Sequence, residues 1–254
     1  MPLQAWFESK VAPTAEALAA GDGCHPDEAQ ALARYLSGDA DIHETAIRIT
    51  SPIQSDTNPS EQTYRLWALI CEAIVELSDE ERHKTISLLA AIRDLPPTSS
   101  GLALSKLPGF ASMWDTLYRL HLHGPDGWEK DLEGLSDDRK VELRRHFDAV
   151  GTAEAEMFLQ DLVPAQWGFK VLDLLSSSRQ GIDVLMSEIH AWLRVAGSRL
   201  REEVRMDDAA AGPDRVATLE QWTKWKIALA YPSKEGSKIS EEGRRLAIQC
   251  VDRM

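Results

Sequence analysis

The sequence predicts an all-α protein, an irregular multi-helix bundle of roughly nine or ten helices with no sheet. Three observations predict it. Apolar residues recur at three- and four-residue spacing along nearly the whole chain, the period of one helix face. Alternating apolar and polar runs are missing, and so are Asn-Gly or Asp-Gly hairpin turns flanked by them. Asp126-Gly127 comes closest, but it follows HLHGP and reads as a loop. No signature repeats at a period of roughly 30–45 residues, so the helices do not form a regular solenoid.

The elements follow in order. Residues 3 to 20 give one or two short helices interrupted at Pro13. PDEAQALARYLSG has Pro26 at its start and Gly38 at its stop, and DIHETAIRI follows it. SEQTYRLWALICEAIVEL carries one stripe of Leu66, Trp67, Ile70, Ala73, Ile74 and Leu77. Ser78 and Glu81 match a capping box for the next helix, which stops at Pro96-Pro97. A loop then leads to a helix from about Ser112 to His121. GPDGWEKDLEG is a second loop.

Ser136 caps a long helix that contains Gly151, where a kink or break is expected. PAQWGFKVLDLL turns Trp167, Val171, Leu174 and Leu175 to one side. IDVLMSEIHAWLRVAGSRLREEV turns Leu185, Ile189, Trp192, Ala196, Leu200 and Val204 inward. In LEQWTKWKIALA, Thr218 and Gln221 match a capping box, and Trp222, Trp225 and Leu229 share a face. That pair reads as structural, docking its helix and the last one, which ends at Met254. One α-helical domain spanning 1–254 is expected, with 206–217 as the place for a subdivision.

Composition excludes several partners. Of 254 residues, 43% are apolar and 27% charged, which suffices for a sizeable core. The net charge of −13 argues against nucleic acid and anionic membranes, whose affinity comes from Lys and Arg on phosphates. No run of about eighteen apolar residues is present, so membrane insertion is not expected. The N-terminus lacks the pattern of a secretory signal. The three cysteines, Cys24, Cys71 and Cys250, are far apart and form no CxxC. Buried reduced thiols and a cytoplasmic location are the expectation.

Most familiar chemistries also lack their residues. No GxGxxG, Walker loop or GxSxG elbow is present, so no cofactor is expected. Asp137-Asp138 and Asp207-Asp208 lack the third carboxylate of a magnesium-binding DDxxD row. The pattern of Glu80 and His83 occurs once, where a di-iron bundle needs it twice. His121 with His123, and Glu142 with His146, lack further ligands, so no metal is expected.

One helix holds the best candidates for chemistry. In MWDTLYRLHLH, Trp114, Tyr118 and His121 recur at helical spacing with Asp115 beside them. Tyr118, His121 and Asp115 are the candidate proton-transfer groups. Trp114, Trp167 and Trp192 are the candidates for shaping an apolar ligand pocket. The competing reading is a core helix whose polar tips reach the surface, with tryptophans that pack. Trp6 and Trp128, in less patterned surroundings, are the two that fit exposed positions.

Three stretches carry a family resemblance. They are LWALICEAIVELSDEERHKTISLLAAIRDLPP, then FLQDLVPAQWGFKVLDLL with HAWLRVAGSRL, then LEQWTKWKIAL with ISEEGRRLAIQCVDRM, and LPGF falls between the first two. Their order, from about residue 60 onward, resembles a family of fungal, mainly ascomycete, proteins catalogued as a domain of unknown function. The resemblance implies a single α-helical intracellular protein, often encoded near secondary-metabolite clusters. It carries over no catalytic residue.

The expected function is binding of a small hydrophobic molecule. Its catalytic form would be a cofactor-independent isomerase or cyclase of fungal natural-product biosynthesis. The alternative is a non-catalytic interaction scaffold.

Overall fold

Several helices begin in this chain where a side chain serves the first free backbone N–H groups, as at Thr14, His25, Ser78 and Ser240, and two of them, Ala15–Ala20 and Pro26–Ser37, end at a left-handed glycine. The computed structural model describes residues 2–54, 59–97, 103–119, 134–177, 181–204, 217–234 and 239–254, without the side chains of 54, 59–62 and 177. Among them are twelve α-helices and no strand, somewhat more helices than the periodicity suggests. The excess is in short elements, which periodicity over a long window does not separate. By chain contacts the molecule divides into two units, Met1–Arg119 and Leu120–Met254. The stretch 206–216 lies outside the described residues.

The first unit holds α1 (Leu3–Lys10), α2 (Ala15–Ala20), α3 (Pro26–Ser37), α4 (Ile42–Gln54), α5 (Pro59–Glu76), α6 (Asp79–Arg93), a 3-10 turn (Leu104–Lys106) and α7 (Phe110–Tyr118). Thr14 caps α2, and Gly21 at φ 87° ends it. Ser78 and Glu81 form the expected capping box of α6. Helix α5 packs on α4, α6 and α7, and its Leu66, Trp67, Ile70, Ala73 and Ile74 are fully buried. Burying each Leu or Ile is worth about 1.5–3 kcal/mol, which fixes the face that α5 turns inward. Trp67 Nε1 donates to the carbonyl of Pro108 at 2.7 Å, holding the chain that enters α7.

The second unit holds α8 (Asp137–Leu159), α9 (Gln166–Ser177), α10 (Ile182–Glu202), α11 (Leu219–Leu229) and α12 (Glu241–Arg253). Helix α10 is its centre and packs against α8, α9 and α12. Helix α8 runs unbroken through Gly151, contrary to the expected kink. A Cβ there would lie 2.8 Å from the carbonyl oxygen of Glu188 and 3.1 Å from Ala191 Cβ, so the glycine lets α10 approach. Arg144 of α8 binds Asp183 of α10, and Asp183 accepts from the Ser240 N–H and hydroxyl at 3.0 and 2.6 Å. Ser240 in turn caps α12, so the first turns of α10 and α12 and the body of α8 are joined at one carboxylate.

The tryptophan pair of α11 is buried as expected. Trp225 Nε1 donates to Asp173 of α9 at 3.0 Å, and Trp222 Nε1 to the carbonyl of Met254 at 3.3 Å. Thr218 Oγ1 accepts from the Gln221 N–H, but Gln221 Nε2 reaches Asp173 instead of completing the box. No described helix is long and apolar enough to cross a membrane.

Candidate functional site

The residues that the sequence singles out fall in different places. Phe110, Trp114 and Tyr118 form one buried stripe of α7, with the Trp114 and Tyr118 rings 4.9 Å apart. Burial pushes the Tyr118 phenol well above its ordinary pKa, and the charges of Glu76 and Glu72 add to the rise. It is therefore a neutral phenol at physiological pH. Asp115 accepts from Arg119 Nη1 at 2.9 Å. His121 and Trp128 lie outside the described residues. Trp167 and Trp192 belong to the second unit. Trp192 is fully buried and donates to Glu154 Oε2 at 2.9 Å. Trp6, which fits an exposed position by sequence, is 2% exposed and donates to Glu76 at 2.8 Å.

A different constellation faces open space. A cleft of about 690 Å³ lies in the first unit, walled by α2, α3, α4 and α5. Its polar wall comes from the start of α3. Pro26 sets the first helical φ, and His25 takes the cap position in an extended conformation. His25 Nδ1 accepts from the Asp27 N–H at 3.1 Å, which places the ring proton on Nε2. Glu28 Oε2 accepts from the His25 N–H at 2.9 Å, completing a capping box.

Glu28 is thereby held in the wall at 2% exposure. Burial pushes its carboxyl up to about 7, while the His25 N–H and the Arg65 charge pull against that rise. Arg48 of α4 and Arg65 of α5 also line the cleft. Arg48 pairs with Glu44 at 3.3 Å and stays half exposed. Pro52, in the same wall, has no N–H to give the carbonyl of Arg48, so the α4 ladder lacks a bond there. Ala15, Leu18, Ala19 and Ala31 supply the apolar part of the wall.

A second cavity, about 330 Å³, has Arg65 in its wall as well. Cys24, Leu69 and Met113 line it together with Lys10 and Glu72. Lys10 bridges Glu72 and Glu76 at 3.0 and 2.9 Å. Burial alone would lower the Lys10 pKa, but these two carboxylates overcome it and raise the value. Burial pushes the Cys24 thiol up to about 12, so it is no nucleophile at neutral pH.

The sequence reading passed over this site. HPDE does carry its signal, a proline at the first helical position with glutamate two residues later. What the pattern does not carry is that the fold buries this glutamate in the wall of a cleft. In the second unit, His190 of α10 is 8% exposed. Burial and the Arg194 charge lower its pKa, so it is neutral at pH 7. The described residues contain no group of three or more His, Cys, Asp or Glu suited to hold a metal.

No family model, curated protein or solved structure matches the chain.

Proposed function

We propose that the first unit binds a small organic molecule in the cleft between α2, α3, α4 and α5, and that Glu28 exchanges a proton with it. This is the reading of a cofactor-independent isomerase that acts on a carbon acid. One observation carries it: a nearly fully buried carboxyl forms part of the wall of an open cleft beside two arginines. A carboxylate whose proton affinity is tuned close to neutral is suited to take a proton from carbon. Arg65 and Arg48 supply positive charge for the oxyanion that forms as the C–H bond breaks. The proton passes to Glu28 and returns to another carbon of the same molecule, so no electrons leave. The alanines and Leu18 suit an apolar body. A natural-product intermediate fits that description, which is the class the family resemblance implies.

The test is hydrogen exchange into a panel of small ketones and β-keto acids in D2O, followed by NMR. The protein should speed deuterium uptake at the carbon next to the carbonyl. The rate should rise with pH through about 7 and then level, as the Glu28 carboxylate forms. Glu28→Gln should remove about 99% of the acceleration while binding persists. Uptake that Glu28→Gln leaves unchanged overturns the reading.

One observation favours a second reading, a non-catalytic interaction protein. Ile227 on α11 and Tyr231 in the turn that follows it are 66% and 62% exposed. That reading expects no catalysed exchange in the same experiment.

A further inference from the structure

The capping box that opens α3 uses one atom of each of its two side chains and leaves the other. His25 Nδ1 accepts from the Asp27 N–H at 3.1 Å. That bond needs the Nδ1 lone pair, so the ring proton is on Nε2. Glu28 Oε2 accepts from the His25 N–H at 2.9 Å. Neither His25 Nε2 nor Glu28 Oε1 has a hydrogen-bond partner among the described residues, and neither is sealed from solvent. Both residues line the cleft of about 690 Å³. The two positions of a capping box face each other across the first helical turn. A donor and an acceptor therefore stand side by side in one wall. Unlike a guanidinium, the Nε2–H of an imidazole can give its proton and take another in its place.

We infer that the substrate is an α-hydroxy carbonyl compound, and that His25 Nε2 moves a proton between its two oxygens while Glu28 moves one between its two carbons. The inference rests on the cleft reading above and names its substrate class. Glu28 takes the proton from the carbon that bears the hydroxyl, and the C–H electron pair becomes the double bond of an enediolate. The former carbonyl oxygen takes the Nε2 proton. The imidazolate then takes the proton of the neighbouring hydroxyl, whose oxygen becomes the new carbonyl. Glu28 returns its proton to the former carbonyl carbon. Hydroxyl and carbonyl have changed places, both side chains are restored, and no electrons leave. The Asp27 N–H stays on Nδ1 and stabilises the ring while it carries negative charge. The Asp27 carboxylate, 3.7 Å from Nδ1, is 73% exposed and screened by water. A plain ketone needs only the donor, whereas two adjacent oxygens use both properties of the ring.

The whole chain is tested with 3-hydroxypentan-2-one in D2O. NMR follows deuterium uptake at the carbon bearing the hydroxyl and the appearance of 2-hydroxypentan-3-one. Isomer formed per deuterium taken up measures the shuttle between oxygens, and it does not depend on how much of the protein is folded. The native chain should form the isomer. His25→Asn keeps a capping oxygen for the Asp27 N–H and removes Nε2. It should lower the isomer formed per deuterium at least about a hundredfold, the ordinary effect of a positioned proton carrier. His25→Ser caps equally well and serves if His25→Asn does not fold. A ratio that these variants leave unchanged overturns the inference. So does a native chain that exchanges this compound, or the simple ketones, without forming the isomer, and the cleft reading then stands. Absence of exchange from every carbonyl compound overturns the cleft reading and this inference with it.

Discussion

At the scale of single residues, the buried polar groups decide what each side chain can do. Tryptophan is abundant here, with eight in the chain, and several indole N–H groups find an acceptor inside. Trp6 and Trp192 use carboxylates, and Trp67 uses a backbone carbonyl. Such a bond is worth about 1–3 kcal/mol if its loss strands a buried acceptor, so these rings fix positions rather than offer surface. Glu28 differs because its carboxyl stays near neutral affinity for protons, with a cleft beside it. That has a consequence for stability. The folded value is about 7 against an ordinary 4.5, so folding favours the protonated form. Its contribution is complete below about 4.5 and is lost as pH rises through about 7. By pH 8 the loss is on the order of 3 kcal/mol. Glu28→Gln keeps an oxygen for the His25 N–H and has no such titration. Urea unfolding should therefore show the variant gaining on the native chain across that window, and a constant difference would disprove the burial argument.

At the scale of elements, the same residue type plays opposite parts at Gly151 and Gly197. A Cβ at Gly151 would press on the backbone of α10, which cannot yield cheaply. A Cβ at Gly197 would meet Leu193 at 3.7 Å, an ordinary contact. Alanine gains about 1 kcal/mol over glycine in a helix interior. Gly197→Ala should therefore stabilise by up to about 1 kcal/mol. Gly151→Ala should lose about 1–2 kcal/mol net, because overpacking outweighs that gain. Equilibrium unfolding of the two variants gives the signs, and a stabilised Gly151→Ala would show that α8 and α10 can part. The same position marks where the sequence was legible and where it was not. Periodicity identified the faces of α5, α9 and α10 because burial repeats at the helical period. It also gave the caps at Ser78, Ser136 and Thr218, which are local. Gly151 read as a break because its partner is thirty-seven residues away in α10 and leaves no local trace. Glu28 was missed for the same reason, since the cleft that it lines is walled by α2, α4 and α5 as well as by its own helix. The Tyr118 helix drew attention through its chemistry, but its spacing of four is also the spacing of a packed stripe.

At the scale of the whole molecule, charge is the property that composition alone determines. The chain carries −13, while each unit buries an apolar core. Many exposed charges are paired locally, as Lys224 with Glu220 at 2.7 Å and Arg199 with Glu203 at 2.6 Å. Exposed pairs of this kind contribute about 0–1 kcal/mol each, and salt weakens them. The unpaired excess of carboxylates acts over longer distances and opposes the compact state. At low ionic strength, about 0.01 M, the screening length is about 30 Å and that repulsion spans a unit. At about 0.15 M it is about 8 Å, and only near neighbours still repel. Raising sodium chloride across that range at pH 8 should therefore increase the thermal midpoint. A gain of about 1 kcal/mol corresponds to about 2–4 °C for a chain of this size. The increase should shrink as pH falls toward 5, because protonation removes the excess charge that salt screens. A midpoint that falls with salt at pH 8 would mean that the local pairs outweigh the net repulsion.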